Sequence, residues 1–206
     1  VDWRPPAGKG DPIFGAGATT AEKTIANVVG LFGAAIVVAA GLLSGADWNL
    51  ILYVVAAVIA FDVVGGIPAN GLNSAKRDHH GPPSATADTA FGRVVRLPVV
   101  FTALHIHPII VGTFYTPHLW WWGPIWYLVI VSATATVRAV PLHLERPTAL
   151  GFCAIVTMAA VYLPAPDLWA WLPIMLALKL VLAHAVQEEP YRPVADPAGD
   201  SALTGR

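Results

Sequence analysis

Apolar runs about as long as a bilayer is thick recur along the chain, at 25–44, 48–67, 97–115, 120–138, 148–164 and 168–187. Each holds roughly 17–21 mainly apolar residues, enough for a helix to cross a ~30 Å hydrocarbon core. The pattern predicts an all-α, polytopic membrane protein, an antiparallel bundle of six transmembrane helices joined mostly by short loops. A Gly- and Pro-rich stretch at 1–18 reads as a flexible lead. The membrane domain then covers 19–189 with one long loop at 69–96, and a polar, Pro-containing tail covers 190–206.

Local signals refine the elements. Thr19 and Glu22 have capping-box spacing and predict the start of the first helix. The first run is dense in small residues (Gly30, Gly33, Ala34, Gly41), so it is expected to pack closely inside the bundle. Its apolar length exceeds the roughly 7–15 residues of a signal-peptide core, so it reads as a retained span. Gly65-Gly66-Ile67-Pro68 is expected to distort or stop the second helix. No internal repeat links spans one to three with four to six, which gives an inverted-repeat transporter no support.

Charge then orients the bundle. Of the 12 Lys and Arg residues, all but Lys179 fall on the side of both termini and the 69–96 loop, while the opposite loops carry Asp47 and Asp167. The positive-inside rule places both termini in the cytoplasm of an inner-membrane protein. With 56% hydrophobic and 12% charged residues, the chain is far from a soluble domain, which carries about 25% charged residues. The net charge of -1 gives no nucleic-acid footprint. Cys153 is the one cysteine and supports neither a disulfide nor a thiolate metal site within the chain. Trp48, Trp120, Trp121, Trp122, Trp126, Trp169 and Trp171 gather at the external ends of the spans. They read as an aromatic belt, with an aromatic pocket for a carbocation or flat ligand as the rival.

Ionisable residues inside hydrocarbon are costly and therefore mark candidate sites. Asp62 is expected roughly 8–9 Å from the cytoplasmic boundary, and His105 and His107 about 12 and 15 Å deep. Lys179 and His184 belong to the last span, and Arg138 to the inner end of the fourth. All lie in the cytoplasmic half or near the midplane, which predicts a polar cavity open to the cytoplasm and closed outside. His105 and His107 should point about 200° apart on a regular helix, so one is expected inward and the other buried and hydrogen-bonded. Asp78-His79-His80 offers carboxylate and imidazole ligands in the long loop. Lys76-Arg77, with Arg93 and Arg96, could hold a phosphate or diphosphate head group. Asn70 and Asn73 could cap helix ends or orient a ligand.

The functional expectation is a membrane-embedded enzyme acting on a lipidic or isoprenoid substrate. Asp62, His105 and His107 supply acid/base catalysis, and Asn70, Asn73, Lys76, Arg77, Arg138 and Lys179 contact the substrate. A variant places a divalent metal (zinc, iron or magnesium) on Asp62, His79, His80 and His105. Two other classes stay open. One is a proton-coupled transporter or channel using Asp62, His105, Lys179 and His184. The other is an accessory subunit, including one that ligates a b-type haem through His105 and His184. Small membrane-embedded terpene cyclases are similar in size and also pair a buried acid with aromatic residues; no residue role is carried over from them. The bilayer is the one firm partner, and oligomeric state is not set by the sequence.

Overall fold

The structure is a computed structural model that describes residues 9–188. The predicted tail at 190–206 and residues 1–8 lie outside the described residues, and with them Arg4, Arg192 and Arg206. Within the described residues the chain is helical and has no strands. The helices are α1 (Thr20–Ser44), α2 (Leu50–Gly71), α3 (Asn73–His80), α4 (Ala90–Val95), α5 (Pro98–Ala103), α6 (His107–Phe114), α7 (Trp122–Ala139), α8 (Leu142–Tyr162) and α9 (Trp171–Leu176). From Ala177 to His184 the last helix continues with the wider i→i+5 hydrogen bonding of a π-helix.

The predicted capping box starts α1. Thr19 Oγ1 accepts from the Glu22 amide at 3.2 Å, and the Glu22 carboxylate accepts from the Thr19 amide at 2.7 Å. Gly45, at φ 68°, ends the helix in the left-handed conformation that a residue without Cβ adopts freely. α1 then packs along α2 through its glycines. A Cβ on Gly30 would sit 2.9 Å from Phe61, and one on Gly33 would sit 2.8 Å from Val64. Gly65 returns the fit, since a Cβ there would lie 2.9 Å from the Ala26 carbonyl oxygen. Close backbone approach of this kind is how helices gain packing energy in lipid.

Three helices, α1, α2 and α8, are long and apolar enough to cross a membrane. The other expected spans are shorter or broken. The 97–115 run divides into α5 and α6, α7 has 18 residues, and the last apolar helix runs from Trp171 to His184. The second helix, conversely, is longer than expected. It passes through Pro68 to Gly71, because a proline removes one N–H donor but does not unwind a helix whose adjoining glycines are held against neighbours. The aromatic-belt expectation also divides. Trp120 and Trp121 are exposed, while Trp122, Trp126 and Trp169 are core residues at 3% exposure or less. Trp169 stacks on Trp171 and meets Tyr115 and Trp48, plugging that end of the bundle.

At the basic end, the stretch read as a loose lead and a long loop is a folded cap. Asp78 in α3 is fully buried and organises it. Its carboxylate accepts from the Ala16 amide at 3.2 Å and from the hydroxyls of Ser84 and Thr86. Arg96 donates to the carbonyls of Asp78 and Gly81. Residues 9–18 therefore lie as a strap over α3, with Ser74 Oγ donating to the Phe14 carbonyl at 2.6 Å. Gly15, at φ 79°, is the point of closest approach, where a Cβ would meet the Ser74 backbone at 2.2 Å. Replacing Asp78 by Ala strands three donors. We expect a loss of about 3 kcal/mol in chemical denaturation and faster proteolysis within residues 9–18.

Candidate functional site

The centre of the candidate site is an ion pair between α2 and the π-helical run. Lys179 is 3% exposed and donates from Nζ to Asp62 Oδ2 at 2.6 Å. The contact offsets part of the desolvation cost that the buried Lys179 ammonium would meet alone. The route of the lysine is set by a glycine. A Cβ on Gly66, one turn beyond Asp62, would come within 2.3 Å of Lys179 Cε, so the aliphatic stem crosses α2 where no side chain stands. A π-type turn shifts the register of side chains relative to an α-helix and often accompanies functional positions. Here it carries Lys179, and the Lys179 carbonyl accepts from Asn70 Nδ2 at 3.5 Å.

Two histidines face the same oxygen. His105 Nε2 lies 3.9 Å and His107 Nε2 3.7 Å from Asp62 Oδ2, with their rings 5.4 Å apart. The expectation of one inward and one turned-away histidine rested on a regular helix, and the helix is not regular. Pro108 has no N–H to give the Leu104 carbonyl, so α5 ends at Ala103 and α6 restarts at His107 with the proline in its first turn. The unwound Leu104–Ile106 link lets residues two apart aim at one point. The break is held from outside by Tyr127, whose hydroxyl donates to the Ala103 carbonyl at 3.0 Å. It is also held from within by His105 Nδ1, which bonds the Phe101 carbonyl at 2.8 Å. That bond puts the His105 proton on Nδ1 and leaves Nε2 as a proton acceptor towards Asp62. His107 Nδ1 is buried without a partner among the described residues.

Asp62 itself is deep among the helices yet keeps 45% of its side-chain surface open. Its neighbours Lys179, His105 and His107 keep 3%, 8% and 19%. α2 packs on α1 and on the last helix. Oδ2 takes the lysine and both histidines, and Oδ1 has no partner among the described residues.

His79 and His80 sit elsewhere, in the cap. His79 Nε2 bonds the Pro12 carbonyl at 3.2 Å and His80 Nε2 the His184 carbonyl at 2.8 Å. Their rings lie 5.4 and 6.3 Å from that of His184, which is 1% exposed and has neither ring nitrogen partnered among the described residues. Phe101 stands between the two groups, 4.4 Å from the His184 ring and 4.7 Å from the His105 ring. The set Asp62, His79, His80 and His105 is thus split between two places. Among the described residues no group of three or more His, Cys, Asp or Glu side chains is arranged to hold a metal ion. The cation beside Asp62 is the lysine ammonium.

The residues expected to contact substrate divide in the same way. Lys179 is at the centre and Asn70 beside it, while Lys76 and Arg138 serve the end of the last helix. That terminus leaves carbonyls without helical donors. Lys76 Nζ donates to Val186 at 2.6 Å, Arg138 Nη1 to Ala185 at 3.3 Å, and His80 to His184. Glu145, a 3% exposed carboxylate not singled out from sequence, completes the knot. It pairs with Arg138 at 2.6 Å and accepts from the Gln187 amide at 2.6 Å. Arg93 bonds the Ala87 and Asp88 carbonyls. Arg77 is half-buried on α3, and Asn73 is exposed where α3 begins. No head-group cradle converges here.

Burial pushes the Lys76 amine down to about 7, and pushes His79 and His80 down to about 4 and 3. No family model matches the chain, and no curated protein or solved structure is significantly similar to it. The site therefore stands on geometry alone. Sequence inspection missed Gly66, Glu145 and Tyr127. Gly66 had one usable signal, its i+4 spacing from a membrane acid.

Two outcomes follow. Lys179→Met strands Asp62 and should cost about 3–5 kcal/mol, most of it recovered in the double variant Asp62→Asn/Lys179→Met. Gly66→Ala should cost about 1–3 kcal/mol in the parent by displacing the lysine stem, but much less in a Lys179→Met background. Denaturation of the parent and the four variants checks both. Acid gives a third test. His79 and His80 are held neutral when folded and titrate near 6.5 when unfolded. Their contribution is complete above pH ~6.5 and is lost as pH falls. The unfolding midpoint should drop between pH ~6.5 and ~4.5, less so in His79→Phe.

Proposed function

We propose that the protein is a membrane-embedded enzyme acting on a lipidic or isoprenoid substrate by acid/base chemistry. Asp62 is the central group, and His105 and His107 are its proton-exchanging partners. In this reading the six apolar segments form a bundle in the inner membrane with both termini in the cytoplasm. α5–α6 is then one broken span, and α7 and the last helix are short ones. The observation that carries the proposal is that three side chains from two separate segments face one carboxylate oxygen on a third, while that carboxylate stays open to its surroundings. A purely structural ion pair needs neither the two imidazoles nor the opening. Lys179 pairs with Asp62 Oδ2 and leaves Oδ1 without a partner among the described residues, free to meet a substrate proton. His105 and His107 pass a proton to or from the same place.

A second reading, a proton-coupled transporter or channel, draws on the imidazoles that continue from His105 past Phe101 to His184, His79 and His80. Against it, the tryptophan end is packed with Trp48, Tyr115 and Trp169.

The test is incubation of protein in nanodiscs with total membrane lipid in D2O, followed by mass spectrometry of the lipids. The expected outcome is a product, with deuterium gained, that falls at least 100-fold with Asp62→Asn and 10- to 100-fold with His105→Gln. Absence of any Asp62-dependent product, together with Asp62-dependent proton flux in proteoliposomes, would replace catalysis by transport.

A further inference from the structure

His79, His80 and His184 form a layer that the chemistry at Asp62 does not use. His79 and His80 close α3, and the His184 ring faces both from the last helix. Each cap histidine uses Nε2 on a backbone carbonyl of a different segment, His79 on Pro12 in the strap and His80 on His184. Both carbonyls accept, so both rings carry a proton on Nε2 and a lone pair on Nδ1. His184 has neither ring nitrogen partnered among the described residues. One turn before His80, Lys76 Nζ reaches the Val186 carbonyl. α3 therefore grips the end of the helix that bears Lys179 through Lys76 and His80. The charged groups facing this layer are mostly cations: Lys76 on α3, Arg96 after α4, Arg138 on α7 and Arg146 on α8, with His105 the titratable group on the α5–α6 side. Two carboxylates are near, and both are committed. Asp78 holds Ala16, Ser84 and Thr86, and Glu145 holds Arg138 and the Gln187 amide. A proton added to His79 or His80 meets burial and like charge without an uncommitted carboxylate to offset it.

We propose that this histidine layer is an acid-operated latch: on protonation the cap releases the end of the last helix, while the long helices stay folded. The latch is independent of any catalytic role for Asp62. The cap has internal ties that involve no imidazole. Asp78 binds the strap and residues 84–86, Arg96 binds the Asp78 and Gly81 carbonyls, and Ser74 binds the Phe14 carbonyl. Asp11 also anchors the strap to Lys23 of α1 at 2.7 Å. α1 and α2 hold each other through glycine contacts. The junction with the last helix, by contrast, is made of an ammonium and three imidazoles. Burial holds His79 and His80 neutral, at about 4 and 3, and exposure returns them to about 6.5. The latched form is fully favoured above pH ~6.5. Below that it loses up to about tenfold per histidine for each pH unit, down to the latched-state values. Lys76, at about 7 when latched, has lost most of its own contribution by pH ~7 and changes little below it.

Hydrogen exchange of the full chain in phosphatidylcholine nanodiscs, read by mass spectrometry at pH ~7.5 and ~5.0 and corrected for intrinsic rates, tests this. Two histidines at roughly 30-fold each predict that segments 73–80 and 184–188 lose protection by roughly 100-fold or more at the lower pH. Protection in α1 and α8 should change by less than about threefold. The double variant His79→Gln/His80→Gln keeps a side-chain N–H for each carbonyl and cannot titrate, so its loss at the same segments should stay below about tenfold. Each single variant should fall between, near roughly 30-fold, which keeps the test decisive if the double variant does not fold. Unchanged protection of the parent at pH ~5.0, an equal loss across α1 and α8, or a loss in the glutamine variants as large as the parent's would each overturn the proposal.

Discussion

The contact between Lys179 and Asp62 is the constraint around which the rest of the site is arranged. A charge deep in an apolar bundle persists only when its partner is within direct reach. Meeting that requirement takes three features that have no other evident reason. α2 carries a glycine at position 66, the last helix is π-wound where it bears the lysine, and Asn70 supports the Lys179 carbonyl. The pair also makes the site neutral overall, which allows two imidazoles to approach an anion without adding a net charge to the membrane interior.

The basic residues illustrate how one residue type serves two physical ends. Their one-sided distribution follows the positive-inside rule whatever they touch. In the folded chain four of them are also donors to backbone carbonyls: Lys76 and Arg138 at the terminus of the last helix, Arg96 and Arg93 within the cap. Glu145 neutralises part of this cluster and ties α8 to residue 187. A helix terminus buried beneath a cap cannot rely on water, so side chains supply what solvent would otherwise give. That need explains why Lys76 and Arg138 are occupied.

Legibility from sequence followed the range of the interactions involved. The helical class, the capping box at Thr19 and the small-residue face of α1 were readable from local pattern, and the cost of a charge in hydrocarbon was enough to single out Asp62, His105, His107 and Lys179 as candidates. Facing was not. Whether His105 and His107 converge depends on how far one proline unwinds the chain, and on Tyr127 and the Phe101 carbonyl holding the break. The cap was equally hidden, since the partners of Asp78 are at Ala16, Ser84 and Thr86, and no periodicity links them. Three of the six expected spans are single helices long and apolar enough to cross a membrane. A run of apolar residues does not reveal that α5 and α6 are two helices, or that Trp122, Trp126 and Trp169 are core and not interface.

The broken third segment ties these points to chemistry. A regular helix from 98 to 114 would place one histidine on Asp62 and turn the other towards a different neighbour. Breaking it costs backbone hydrogen bonds in a medium that offers no replacement. The chain recovers part of that cost with the Tyr127 hydroxyl and the His105 ring, and the second of these fixes which nitrogen of His105 holds the proton. The same irregularity therefore brings a second imidazole to the carboxylate and sets the His105 tautomer. A segment retained only for spanning would gain nothing from either. Their coincidence at one carboxylate is the ground on which a reaction centre is proposed over a structural ion pair.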